Sequence, residues 1–129
     1  MNVKQTGFTL VEAIVVVAII GIIATIAWPM FEAQSDKSRR TDGIAGLLIA
    51  SNEMEKCYSD NAVYTGCTIN GTSPKAFYNI TSVINADDYT LTATPVTADP
   101  DCKTLTINHL GIKGHTTDTG TSLQRCWAS

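Results

Sequence analysis

Lys4-Gln5-Thr6-Gly7-Phe8-Thr9-Leu10-Val11-Glu12, continuing as Ala13-Ile14-Val15-Val16-Val17-Ala18-Ile19-Ile20, is the stretch of this chain on which the fold turns. From Phe8 to Phe31 almost every side chain is apolar, and the single charged group in that run is Glu12. Roughly 24 residues at a helical rise of 1.5 Å cover about 36 Å, enough to cross a hydrocarbon layer of about 30 Å. One transmembrane helix is therefore expected. Its Val and Ile disfavour an isolated helix in water, but in lipid every backbone group must be bonded internally and the helix is enforced. A carboxylate so near the start of such a helix costs about 2.5 to 3.5 kcal/mol at the bilayer centre and less at an interface. Glu12 thus calls for a partner, or for an interfacial position from which it reaches water. Gly21 and Pro29 are the weak points of the run: Pro29 lacks the N–H that would bond back to Thr25, and its ring crowds that turn, which predicts a kink.

The whole chain has 129 residues, so a head of roughly 95 remains beyond the apolar run, room for one small domain. A net charge of -3 and a pI near 5.2 argue against a general nucleic-acid binder, which needs a basic face, and no direct nucleic-acid binding is expected. Four cysteines, in the near pairs Cys57/Cys67 and Cys102/Cys126, suit an oxidising compartment. Four cysteines allow three pairings; nearest-neighbour pairing is the simplest, and each bridge would stabilise the fold by roughly 3 kcal/mol. The cysteines form no C-x-x-C, and His109 and His115 lack ligand spacing, so no metal is expected. No catalytic triad, paired-carboxylate site or phosphate-cradling loop emerges: neither an enzyme nor a cofactor is expected.

From Met30 to Tyr58 charge appears and the pattern becomes amphipathic, with Ile44, Leu47, Leu48, Met54 and Tyr58 near one helical stripe that would cover a sheet. Asp36 precedes Arg40 by four residues, the spacing of an intrahelical pair, while Gly43 and Gly46 weaken the helix. Turn signals at Asn61, Gly66, Asn70-Gly71 and Ser73-Pro74 lead to strands at Phe77–Val83, Tyr89–Thr94 and Lys103–Leu110, where apolar residues alternate with threonines. Gly111 and Gly114 bracket a turn, Thr116–Thr121 reads as a loop, and Cys126-Trp127 would close a short final strand. The fold class is α+β: a long N-terminal helix and a small antiparallel head.

The opening segment resembles the class III signal of type IV prepilins: a short basic leader ending in Gly, then Phe-Thr-Leu-(Val/Ile)-Glu and an apolar helix. That resemblance implies a pilin lollipop, with a leader at 1–7, a membrane and filament-core helix at 8–31, its amphipathic continuation at 32–58 and a globular head at 59–129. It also implies that a prepilin peptidase cuts between Gly7 and Phe8 and methylates the Phe8 amine. The new amine of one subunit would neutralise Glu12 of another, a pair that sets register more than it supplies adhesion. Gly21 and Pro29 match positions where such pilins carry helix breakers, implying local unwinding on assembly. Arg39-Arg40-Thr41-Asp42, Tyr64-Thr65, Tyr89-Thr90-Leu91-Thr92-Ala93-Thr94-Pro95 and the ending Cys102…Leu105-Thr106…Gly111…Lys113-Gly114…Cys126-Trp127 are similar to PilE-type minor pilins of type IVa systems. Cys102 and Cys126 match that group's C-terminal disulfide. Cys57 and Cys67 depart from its commonest pattern, and a second local bridge is the reading for them.

The partners so implied are other pilin subunits, the prepilin peptidase, the inner-membrane assembly platform, with motor ATPases acting separately, and the membrane itself before assembly. The location implied is the inner membrane of a Gram-negative-type envelope with the head periplasmic, then an extracellular pilus supporting motility, adhesion or DNA uptake. Lys37, Arg39 and Arg40 outnumber Lys4 near the membrane and by charge count alone would put the head in the cytoplasm; the cysteines and the prepilin motif both demand export. Two alternatives stay open: a type II secretion pseudopilin, sharing the N-terminal signal, and a secreted domain cut after Ala27, which would begin at Trp28.

Overall fold

The computed structural model describes residues 7–128, so the leader residues before Gly7 lie outside the described part. The chain falls into two compact units that divide between Ser35 and Asp36. One helix, α1 (Leu10–Asn61), contributes to both.

In the N-terminal unit the helix begins where Thr9 offers a cap. The Thr9 hydroxyl accepts a hydrogen bond from the Glu12 N–H at 3.3 Å, and the Thr9 carbonyl accepts the first helical bond from Ala13 at 3.2 Å. Thr9-Leu10-Val11-Glu12 is thus a Thr-x-x-Glu cap sequence, which explains why the helix starts here and why a carboxylate stands in its first turn. The helix runs on through Gly21 and Pro29. Its Leu, Val, Ile, Trp, Met and Phe side chains from Leu10 to Phe31 are all exposed, and by length and composition it can cross a membrane.

In the C-terminal unit, four strands follow α1 in chain order and pair antiparallel with their neighbours: β1 (Tyr78–Ile84), β2 (Tyr89–Pro95), β3 (Thr104–Asn108) and β4 (Lys113–Thr116). The register places Leu91 opposite Ile107 and sets Ala93 between Ile80 and Leu105, so these side chains share one face. They are buried against Ile44, Leu47, Ala50 and Met54 of α1, while the intervening threonines point the other way. Period-two alternation against a helical stripe is what builds this core.

The stripe differs from the one expected. Leu48 and Tyr58 are exposed, and Gly43, Gly46 and Ala50 take their places in the interface. A Cβ on Gly43 would lie 2.8 Å from the Tyr78 ring, and one on Gly46 would lie 3.0 Å from the Ser73 Cβ. Both glycines are therefore close-approach sites rather than mere helix weakeners.

Two further expectations fail at the C-terminus. Lys113–Thr116, expected as turn and loop, is β4; Gly111 makes the turn at φ +73°, but Gly114 sits inside the strand against Thr106. A Cβ at Gly114 would displace the Thr106 hydroxyl from its rotamer, so glycine suits this pairing. Cys126-Trp127, expected in a strand, ends the short helix α2 (Leu123–Trp127), whose Trp127 Nε1 donates to the Gly114 carbonyl at 2.9 Å. That contact fastens α2 to β4.

Gly43→Ala should lower head stability by about 1 to 3 kcal/mol through overpacking against Tyr78, although the same change in an open helix is worth roughly 1 kcal/mol in the other direction. Denaturant unfolding of the detergent-solubilised chain, with Gly21→Ala as the unobstructed comparison, checks this.

Candidate functional site

The first candidate is the start of α1. Gly7 and Phe8 precede the helix, and Phe8 is 79% exposed. Glu12 projects from the first turn, its N–H taken by Thr9 and its side chain exposed. Among the described residues its carboxylate has no hydrogen-bond or ion-pair partner. An acid so placed on an apolar helix is available to a partner cation.

In the head, two buried polar clasps bind later segments to α1, and neither is visible in local sequence spacing. Asp42, only 5% exposed, accepts from the Ser73 hydroxyl, from Lys75 N–H at 2.9 Å and from Phe77 N–H at 3.3 Å. Ser73 Oγ in turn accepts from Tyr78 N–H at 3.0 Å. The carboxylate thereby fixes the loop that opens β1.

Arg40 does not pair with Asp36; it holds Asp99 through two parallel bonds, Nε to Oδ2 at 2.6 Å and Nη2 to Oδ1 at 2.8 Å. Asp36 pairs instead with Arg39 at 3.9 Å. Asp99 Oδ1 also accepts from the N–H groups of Asp101 and Cys102, each at 3.1 Å. Burial pushes the Asp99 carboxyl up, but those backbone donors and the Arg40 guanidinium together outweigh it and hold the group below its ordinary value. The Asp99 bond raises Arg40 against the opposing effect of its own burial.

The disulfides complete the frame. Cys57 is bridged to Cys67, with Cα atoms 5.9 Å apart, and Cys102 to Cys126, with Cα atoms 5.6 Å apart. The first closes the loop at the end of α1 and the second joins the segment before β3 to α2. Beside the first bridge, Glu55 Oε1 accepts from the hydroxyls of Tyr64 and Tyr89, both at 3.0 Å. Burial, reinforced by Glu55, pushes the Tyr64 hydroxyl up to about 12. His115 bonds the Thr121 carbonyl, and no group of His, Cys, Asp and Glu suited to a metal occurs among the described residues.

Residues 29–106, more than half of the chain, match the model of a family described as type IV minor pilin ComP, DNA uptake sequence receptor. The chain belongs to that type IV minor pilin family. Residues 2–28 match the prokaryotic N-terminal methylation motif. The type IV major alpha-pilin of Moraxella bovis is 42% identical over 64 residues, half of this chain and 37% of that protein. The type II secretion system core protein G of Vibrio cholerae is 36% identical over 61 residues, 47% of this chain and 42% of that protein. The chain thus spans about two fifths of the length of these relatives. A solved type IV pilin from Shewanella oneidensis superposes with a TM-score of 0.54 at 26% identity, covering 71% of this chain and 97% of that one. The long helix with a four-stranded antiparallel sheet is the α+β fold expected from the sequence.

Removing one partner of the Arg40–Asp99 pair, as in Asp99→Ala, should cost about 3 kcal/mol, and Arg40→Met/Asp99→Leu should recover only part of it, because the Asp101 and Cys102 N–H groups still lose their acceptor. The Asp99 carboxyl is lowered on folding, so its contribution is fully present above the unfolded value near 3.8 and is lost as pH falls through the folded value below that. Acid unfolding followed by circular dichroism should therefore begin at higher pH in Asp99→Ala than in the unaltered chain.

Proposed function

We propose that this chain is a structural subunit of a type IV pilus, cut between Gly7 and Phe8 by a prepilin peptidase that methylates the new Phe8 amine. The observation that carries this reading is the unbroken exposure of the apolar side chains from Leu10 to Phe31 beside a carboxylate that has no partner among the described residues. Burying each of those large side chains is worth about 1.5 to 3 kcal/mol, so the helix gains far more from lipid or from other apolar helices than from water. Before assembly it lies in the inner membrane with the head on the periplasmic side. In the filament it packs with other pilin helices, delivered by the assembly platform, and the pilus is extracellular. The Phe8 amine of one subunit meets Glu12 of another; each offsets the desolvation of the other, and a mismatched register leaves both uncompensated. The missing Pro29 N–H favours a kink, and the resemblance to such pilins implies local unwinding near Gly21 and Pro29 on assembly.

Intact mass of the subunit from sheared filaments should correspond to a chain beginning at methylated Phe8 with four oxidised cysteines. A chain beginning at Trp28 would establish the secreted domain instead, and a mature subunit confined to the envelope would favour a secretion-system role. Glu12→Ala should lower filament yield more than tenfold, the loss expected when a buried charge is left without its partner. The unfolding midpoint of its head should not move.

The family description supports a second reading, direct contact of the head with DNA, against the expectation drawn from net charge. Lys113 and Arg125, on β4 and α2, are exposed, lie outside the ion pairs found among the described residues, and offer phosphate ligands. If they serve so, Lys113→Ala/Arg125→Ala should weaken duplex binding by the oxidised chain and flatten its log-affinity against log-salt slope by about 2. Binding that is equal in the double variant would rule these two residues out.

A further inference from the structure

Two basic side chains of the head stand on α1 just after its apolar run, and a third, Lys75, lies on a loop whose backbone is bound to the same helix. Lys37 and Arg39 stand on α1 six and eight residues after Phe31, about 9 and 12 Å of helical rise. Lys75 arrives from the loop before β1, because Asp42 binds its N–H at 2.9 Å and that of Phe77 at 3.3 Å. The Arg39 guanidinium lies 5.9 Å from the centre of the Phe77 ring, which is itself 39% exposed. The carboxylates nearby are engaged: Asp42 by three donors, Asp99 by Arg40, and Asp36 by Arg39. Lys37 and Lys75 are exposed and have no ion-pair partner among the described residues.

We propose that Lys37, Arg39 and Lys75, with Phe77 between them, form a collar that binds the anionic lipid phosphates of the membrane leaflet on the head side while the subunit waits in lipid. The proposal rests on the reading that residues 8–31 occupy a membrane before assembly. Given that, connectivity keeps Lys37 and Arg39 close to the headgroup layer, which extends about 6 Å beyond the hydrocarbon on each side. Long basic side chains reach back to it readily, and an aromatic ring is at home at the same depth. The collar also gives a use to the charges that run against the usual distribution of basic residues: they face phosphate on the side to which the head is exported. Their hold is electrostatic and short-ranged, so the subunit can still be withdrawn into a filament.

The test uses the full mature chain in nanodiscs of neutral phosphatidylcholine and in nanodiscs containing phosphatidylglycerol as well. Acylation of each lysine by an amine reagent is followed by mass spectrometry, with Lys113 as internal reference. Lys37 and Lys75 are expected to react about fivefold more slowly in the anionic discs, and high salt should abolish the difference. Equal labelling in the two lipids overturns the collar alone. Equal protection by inorganic phosphate in neutral discs overturns the lipid assignment in favour of a free-phosphate site, and protection confined to assembled filaments overturns it in favour of an acidic neighbouring subunit. A chain that does not enter nanodiscs at all overturns the membrane reading, and the collar falls with it.

Discussion

The apolar first half of α1 leaves its large side chains exposed among the described residues, and this constraint governs the rest. A helix exposing Leu, Val, Ile and Phe on every side is not amphipathic, so no rotation can hide it against a sheet. Helical bonding satisfies the backbone of the rod apart from its ends and the Thr25 carbonyl opposite Pro29, which makes lipid an acceptable solvent. Dispersion between close-packed apolar helices makes other copies an equally acceptable one. Among the described residues the Thr9 cap and Glu12 are the polar groups at the start of that helix, where selectivity between those environments can be decided.

The head solves the opposite problem. Its core is small, and it relies on fixed polar contacts to attach segments that have few apolar residues. Asp42 does this for the loop before β1, and Arg40 with Asp99 does it for the segment before β3. Both anchors sit on α1 within one turn of each other, on the side where Gly43 lets the Tyr78 ring approach the helix backbone. Small side chains and buried charges are complementary here: close approach removes water, and the loss of water makes the bidentate pair stronger and its disruption costlier.

Much of this was legible in the sequence where the signal is local. The length of the apolar run and the alternation in Tyr89–Pro95 and Thr104–Asn108 each depend on neighbours a few residues away, whereas the Thr9 cap emerged only with the structure. What escaped depends on distant partners. Arg40 finds Asp99 across 59 positions, and the nearer Asp36 loses because it offers no bidentate geometry in a sheltered site. Lys113–Thr116 carries no apolar alternation; it is a strand because Gly114 tolerates Thr106 and because Trp127 bonds across it. Leu48 reads as core from its hydropathy, yet Gly46 and Ala50 are the residues small enough to sit beneath the sheet.

The Cys57–Cys67 bridge bears on how the head would meet a protease. The residues it encloses, including the positive-φ Ala62 and Gly66, are a surface loop of the sort proteases enter first. A cut anywhere inside that ring breaks the backbone without parting the fragments, since the sulfur link still spans the wound. The sheet would stay tethered to its helix, and only a reductant would reveal that the polypeptide had been nicked.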